Sequence, residues 1–393
     1  MNIKKVMIFF LMITLFLAVY LPAEEKENLQ VSYYKMFYYV IANEDFHAVT
    51  FLTHAPIITE DSIPVLIRLP RENDYNLKVQ DFNFKTMKED KNLIRFMLEN
   101  CMKDVKNYIV FDVFTLQKVQ DFSDIPEYQF LSAYSSLSSD IKYFLQPSFT
   151  VQSSESQIKK KARELFYKYW DGNVMTLLND IIYFTGDVIE GQSYGSQTAL
   201  STLERGYAVC TGKANLATAL CRSMGIPARV LFVLPTHYIM EAYIPGYGWV
   251  RGESTQAHFP YAKNNSTVQW IADIDDENFA GYRGGVIAYW GVETGNAQWG
   301  IEYDHIYVPG NVHTIEDFVQ VEGNTDLNQA LFEKGTELWR LFCQLKNSDL
   351  TQEQLSTFSV YQQSYFEALV NSDIQSALQF ADLAISEAQN LLN

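Results

Sequence analysis

Residues 206–229 read GYAVCTGKANLATALCRSMGIPAR, and residues 237–255 read HYIMEAYIPGYGWVRGEST. In the first stretch Leu216, Leu220 and Met224 recur every four residues, so a helix is expected from Val209 or Cys210 to Met224. Gly225 is placed to end it and Pro227 to keep it ended. Ala228 to Leu234 then reads as a buried strand. His237–Ile244 and Trp249–Glu253 read as a hairpin around Pro245-Gly246-Tyr247-Gly248. Helices followed by such strands imply an α+β domain. Alternation puts His237, Ile239, Glu241 and Tyr243 on one face of the first hairpin strand. A four-residue turn would pair Ile244 with Trp249 and leave Glu253 opposite Met240, on the other face. An odd-length loop or one bulge would bring Glu253 round to His237.

Three chemically capable side chains converge in this stretch. Cys210 stands where the helix begins, after Arg205-Gly206-Tyr207-Ala208-Val209. A free thiol with a pKa of about 8.5 is only about 3% ionised at pH 7. Unpaired amides at a helix N-terminus and a nearby imidazolium both favour the thiolate. His237 opens the hairpin, and Glu253, at its far end, could orient the imidazole. Each has an ordinary structural reading: a small buried hydrophobe, a hydrogen-bonded strand histidine and a solvated glutamate. Together they have the form of nucleophile, base and orienter, the elements of thiol acyl transfer.

The stretches Gly206–Ala214, Leu220–Arg229 and His237–Thr255 resemble the core signature of the transglutaminase-like superfamily. The resemblance is strong over about 50 residues, Gly206 to Thr255, and extends weakly from about Phe149 to Val312. It implies a papain-like fold in which the nucleophile's helix packs on an antiparallel sheet carrying the base. The nucleophile would map to Cys210, the base to His237 and the acidic member to Glu253. Two departures stand out. Glu253-Ser254-Thr255 replaces the usual Asp-Pro-Thr, keeping the charge but adding a methylene. Tyr238 and Ile239 stand where a small residue and Trp are common. Trp170 and Tyr194 are candidates for an oxyanion side chain, with core packing as the competing role of each.

Outward from this core the periodicity changes. Upstream, Ile158, Ala162, Leu165, Phe166 and Tyr169 mark a helix over Ser154–Trp170, and Met175–Phe184 continues similarly. Residues 29–120 read as strands, with β-rich runs at Val65–Leu69, Leu77–Lys85 and Tyr108–Leu116. They suggest a small sandwich of the kind that often precedes this core in secreted members. Beyond Thr314 three amphipathic helices are expected. They are marked by Leu331, Leu338, Leu341, Phe342 and Leu345; by Phe358, Tyr361, Tyr365, Phe366 and Leu369; and by Ile374, Leu378, Ala381 and Ile385. The expected division is a signal peptide at 1–23, a β-rich domain at 24–125, a linker at 126–148, the core at 149–312 and a helical region at 313–393.

Lys4 and Lys5, the apolar run Val6–Leu21, and Pro22-Ala23 before Glu24 have the form of a secretory leader, with a retained anchor helix as the other reading. A secreted or periplasmic, extracytoplasmic location follows, with no membrane span after cleavage. The 393 residues carry 47 acids and 30 bases, a net charge of −17. Phosphate backbones and anionic lipids repel such a chain, so nucleic acid is not an expected partner. Asp273, Asp275, Asp276 and Glu277 read as a solvated acidic loop without the spacing of an EF-hand. His47, His54, His258, His305 and His313 form no metal-ligand spacing, so no metal or other cofactor is expected. Cys221 lies about 16 Å along the helix from Cys210, too far for a disulfide. Cys101 and Cys343 are left as a conceivable pair in an oxidising compartment.

The reading is a secreted thiol enzyme acting on protein or peptide amides through Cys210, His237 and Glu253. Its acyl-enzyme would pass to water (hydrolysis or deamidation) or to an amine (acyl transfer). The alternative is a non-catalytic scaffold binding protein or cell-envelope partners. Oligomeric state is not legible.

Overall fold

Strand-forming sequence between residues 29 and 118 builds β1 (Leu29–Ala42), β2 (Phe46–His54), β3 (Ser62–Arg68), β4 (Leu77–Asp81), β5 (Leu93–Cys101) and β6 (Lys106–Lys118). The computed structural model describes residues 29–54, 57–68, 77–81, 93–118, 122, 124–169, 171–192, 195–233, 237–261, 268–279, 291–292, 297–303, 319–321, 325–346, 348–351 and 353–393. The expected leader, Trp170, Tyr194, His305, His313 and the end of the Leu77–Lys85 run lie outside the described residues. The architecture is α+β.

Next come α1 (Ser139–Tyr143), α2 (Ser156–Tyr169), α3 (Val174–Tyr183), a short β7 (Glu190–Gly191), α4 (Ala199–Arg205), β8 (Tyr207–Ala208) and α5 (Cys210–Ser223). The strands β9 (Ala228–Val233), β10 (His237–Ile244), β11 (Gly248–Gly252) and β12 (Val268–Ile271) follow, then α6 (Ile274–Phe279). The chain ends with β13 (Gly291–Val292), β14 (Ala297–Tyr303), β15 (Val319–Val321), α7 (Thr325–Lys346), α8 (Ser356–Val370) and α9 (Ile374–Leu392).

In the central unit an antiparallel sheet has the order β11–β10–β9–β12. Leu216, Ala217 and Leu220 of α5 share a buried core with Val230, Phe232, Met240, Ala242 and Val250 from one face of that sheet, and with Leu178 and Ile182 of α3. Gly225 sits at φ +81°, a left-handed position that glycine adopts without penalty, and ends the helix as expected. The stretch 126–148, read from sequence as a linker, is stitched to this core. Gln129 accepts from the Val174 amide at 2.8 Å and donates to the Pro245 carbonyl at 2.7 Å, while Tyr134 is buried in the core.

The sheets outside the core draw on both ends of the chain. One has the order β3–β6–β1–β14, with β15 also on β1; the other is β4–β5–β2–β13. Thus Ala297–Tyr303, inside the stretch read as core, pairs antiparallel with β1 from Met36↔Tyr303 to Ala42↔Ala297. Alternation marks a segment as a strand but carries no label for a partner 260 or so residues away, which is why sequence left this pairing unread. Likewise the C-terminal helices share one core with the first sheet: Leu29, Val31, Ile63 and Leu116 lie with Leu331, Trp339, Phe358, Tyr365 and Ala381. Phe114 and Phe366 meet with ring centroids 4.3 Å apart.

At Gly335 the helix α7 lies close against β3. A Cβ there would fall 2.4 Å from Ile63 Cδ1 and 2.8 Å from the Tyr365 hydroxyl, both in fully buried side chains. Gly335→Val gains only a few tenths of a kcal/mol in helix propensity. Overpacking costs about 1–3 kcal/mol, so the variant should unfold at lower urea concentration with an unchanged slope.

The two units meet on the sheet face away from α5. Ile57 packs with Leu231, Val233, Ile239 and Val268. Beside it Arg251 donates to Asp61 at 2.7 Å and to Glu241 at 3.4 Å, and Arg229 donates to Glu241 at 2.7 Å. No helix among the described residues is long and apolar enough to cross a membrane.

Candidate active site

Cys210 is the first residue of α5, with Val209 extended ahead of it (φ −87°, ψ −177°). Gln197 fixes that approach by accepting from the Val209 amide at 3.1 Å. Two residues on, Gly212 is required by space: a Cβ would stand 2.6 Å from both Thr202 Oγ1 and Ala208 Cβ, and 2.7 Å from Gln197 Oε1. The helix start is therefore seated directly on α4.

The hairpin answers the register question. Ile244 pairs with Gly248, leaving a three-residue loop, so Met240 faces Gly252 and Glu241 faces Arg251. Glu253 accordingly falls on the face of Ile239 and His237. Its carboxylate Oε2 lies 2.5 Å from His237 Nε2, and Oε1 accepts from the Thr255 amide at 2.7 Å. The residue is 1% exposed. Glu253 and His258 also exchange backbone hydrogen bonds at 2.8 and 3.2 Å, closing the turn that holds the carboxylate.

Nε2 of His237 is engaged by Glu253, and the same imidazole acts on the Cys210 thiol. Burial pushes the Cys210 thiol up. The hydrogen bond and charge of His237, with the amides of Tyr238 and Thr211, outweigh it and hold the thiol below its ordinary range. Burial pulls the His237 imidazolium down. Its bonds to Cys210 and Glu253, and both their charges, carry it up to about 9. Cys221 is the contrast: wholly buried in α5, its thiol is pushed up to about 12. Cys343 is likewise raised to about 12 by burial, and no disulfide joins it to Cys101.

Residues 173–253 match the family model of the transglutaminase-like superfamily. This part of the chain is a transglutaminase-like core. Of the departures noted, Tyr238 and Ile239 lie inside the matched residues, Glu253 is the last of them and Ser254 follows it. A search of curated proteins finds no match. A candidate cysteine protease from Cytophaga hutchinsonii is a similar solved structure. It is 21% identical, with a TM-score of 0.48, over 75% of this chain and 96% of that one. A candidate protease from Parabacteroides distasonis is 13% identical, with a TM-score of 0.25, over 52% of this chain and 37% of that one.

Beyond the matched residues the acidic stretch Asp273–Glu277 is a helical cap, not the solvated loop expected. Asp276 Oδ2 accepts from the Asp273 amide at 3.0 Å, and Asp273 Oδ1 from the Asp276 amide at 2.9 Å. Such reciprocal capping opens α6 and turns Glu277 inward. Glu277 forms a bidentate pair with Arg222 at 2.7 and 2.8 Å, both side chains at 0% exposure. Among the described residues no group of three or more His, Cys, Asp or Glu side chains is arranged to hold a metal ion.

One feature beside the site went unread in the sequence. After α3 the chain makes a π-turn, Phe184–Val188, and its Gly186 carbonyl accepts from Lys213 Nζ at 2.8 Å. Lys213 is 4% exposed, one turn beyond Cys210. The signal was available: Lys213, Leu216, Ala217 and Leu220 form a single stripe at helical spacing, and a lysine on an apolar stripe is unusual.

Proposed function

We propose that the chain is a thiol enzyme that opens amide bonds of proteins or peptides through a covalent acyl-enzyme, with Cys210 as nucleophile, His237 as base and acid, and Glu253 as orienter. The single observation carrying this reading is that His237 meets the buried Glu253 carboxylate at 2.5 Å while acting on the Cys210 thiol to hold it below its ordinary range. In the resting state the thiol proton resides on His237, leaving thiolate and imidazolium. Sγ attacks the amide carbon, and the carbonyl oxygen takes the negative charge. In this scheme the backbone amide of Cys210, at the helix N-terminus, donates to it. As the carbon–nitrogen bond breaks, His237 gives its proton to the leaving amine. Water, or a second amine, then loses a proton to His237 and attacks the thioester, releasing Sγ as thiolate.

Glutamate in place of the usual aspartate fits this scheme. Its extra methylene is accommodated by the three-residue hairpin loop and by the Thr255 amide, which fixes the second carboxylate oxygen. The same reading keeps the mature chain outside the cytoplasm, on the leader-like sequence at 1–23, and favours protein or peptide substrates over nucleic acid, on the net charge of −17.

The test is cysteine-selective alkylation, resolved by mass spectrometry across pH. Cys210 should be captured by iodoacetamide well below pH 8, while Cys221 and Cys343, with thiols raised to about 12, stay unmodified in the folded chain. Capture of Cys210 no faster than a free thiol at pH 6.5 sinks the reading. If it is captured, a screen separating ammonia release, new N-termini and amine incorporation identifies the acyl acceptor.

A further inference from the structure

We propose that the charged row Arg229–Glu241–Arg251, completed by Asp61 from the turn before β3, locks the register of the β10–β11 hairpin: these are positioning residues that keep Glu253 on the His237 side of the sheet. This rests on the triad reading above.

The row crosses three strands at one level. Arg229 of β9 and Arg251 of β11 are both direct cross-strand partners of Glu241 on β10. Arg229 donates to Glu241 Oε2 at 2.7 Å, and Arg251 Nε donates to Oε1 at 3.4 Å. A second nitrogen of Arg251 donates to Asp61 Oδ2 at 2.7 Å. Asp61 is itself fixed: the Thr59 hydroxyl donates to its Oδ1 at 2.6 Å, and the Lys118 amide to its carbonyl at 2.8 Å. Glu241 and Arg251 are buried, so both lose hydration that these partners must offset.

The hairpin needs such a lock. Its loop sequence permits two lengths, and a slip of one residue would pair Ile244 with Trp249, Ala242 with Arg251 and Met240 with Glu253. The apolar pattern of β11 resists the slip weakly, because Trp249 and Val250 are adjacent and either could face α5. The charges resist it strongly. Arg251 would turn onto the Ala242 face, among Leu216 and Val230, and leave both carboxylates. Glu253 would take the place of Gly252, where even a Cβ stands 2.9 Å from Ile182 Cδ1 and 3.0 Å from Met240 Sδ. Arg229 adds a further hold on the observed register: its guanidinium lies 4.1 Å from the Trp249 ring centroid and keeps that ring on the outer face. Arg251 and Glu253 stand two apart on β11, so the register that joins Arg251 to Glu241 also turns Glu253 toward His237. Fixing a register is the best-attested use of a buried polar group.

The experiment removes the charges without removing the packing. In Glu241→Leu, Arg251→Met both registers bury an apolar side chain at 251, and replacements of this kind are often neutral for stability. Iodoacetamide capture of Cys210 at pH 6, a thermal melt and the Ala242–Val250 methyl cross-peak in methyl-labelled protein are measured together. That cross-peak reports the register directly, since the two residues are paired across the hairpin. We expect a melt close to wild type, a weakened cross-peak and an about fivefold slower capture. In the Glu253→Gln background the double substitution should slow capture no further. An unchanged rate and cross-peak overturn the inference and spare the triad. So does an equal loss in the Glu253→Gln background, which would mean that the effect bypasses Glu253. If the double variant melts far below wild type, Arg251→Lys decides instead, because it keeps the charge but not the fork that spans Asp61 and Glu241. An about threefold slower capture is expected there, and an unchanged rate overturns the inference. A wild-type Cys210 that reacts like an ordinary thiol overturns the triad reading, and this inference with it.

Discussion

Replacing His237 by alanine should slow iodoacetamide capture of Cys210 at pH 6 by about tenfold and lower turnover of any amide substrate by at least about 10³-fold. The two figures differ for a physical reason. A more acidic thiol holds more thiolate below its midpoint, but that thiolate is a weaker nucleophile, with a Brønsted slope of about 0.4–0.5. The two effects leave about tenfold in alkylation. Turnover also loses the proton donor for the leaving amine, which alkylation does not require. The pH profile follows from the same groups. The pair becomes competent as the depressed Cys210 thiol ionises and loses its acid as pH rises through about 9, where His237 deprotonates. A bell-shaped kcat/KM profile closing near pH 9 is expected in wild type. An alkylation profile that His237→Ala leaves unchanged would mean that the helix terminus alone activates the thiol.

Arg222→Met should cost about 3–5 kcal/mol, a large share of the 5–15 kcal/mol by which an ordinary domain is stable. Arg222 lies at 4% exposure in the last turn of α5 and makes four bonds: two to Glu277, one to the Ala228 carbonyl at 2.8 Å and one to the Gln146 carbonyl at 3.0 Å. Methionine leaves the Glu277 carboxylate buried and without a cation. The double variant Arg222→Met, Glu277→Leu removes both charges, and such replacements are often neutral. Here it should recover only part of the loss, because the two carbonyls stay unpaired at about 1–3 kcal/mol each. Urea midpoints of the three chains separate these contributions. A single variant within 1 kcal/mol of wild type would show that the clamp contributes nothing.

The sequence was most legible where local rules act alone. Leu216, Leu220, Met224, Gly225 and Pro227 place the body and the C-terminal end of α5, because helix periodicity and termination are set within a few residues. Cys210, His237 and Glu253 were nominated as chemistry, but their meeting hinged on one loop residue. Three residues rather than four turn Glu253 toward His237, and the run Pro245-Gly246-Tyr247-Gly248 permits either. Asp273 and Asp276 were misread because a capping pair and a solvated acidic loop have the same composition; the bidentate partner that draws Glu277 inward lies 55 residues upstream. Lys213 was passed over because its partner, the Gly186 carbonyl, lies 27 residues before it.

The pairing of β1 with β14 also has a consequence for biosynthesis. Met36 finds Tyr303, while the central unit, through Phe279 and including the residues that match the transglutaminase-like family, lies in the interval between them. At about 5–20 residues per second, β14 emerges roughly 10–40 s after β6. Throughout that interval the first sheet lacks an edge partner and the helices α7–α9 that cover its apolar face. The central unit, by contrast, already has the residues of its own helices and sheet. Nascent chains therefore pass through a stage in which the enzyme-like half can be assembled while the earlier-made strands stay open, the stage at which a chaperone has most to hold.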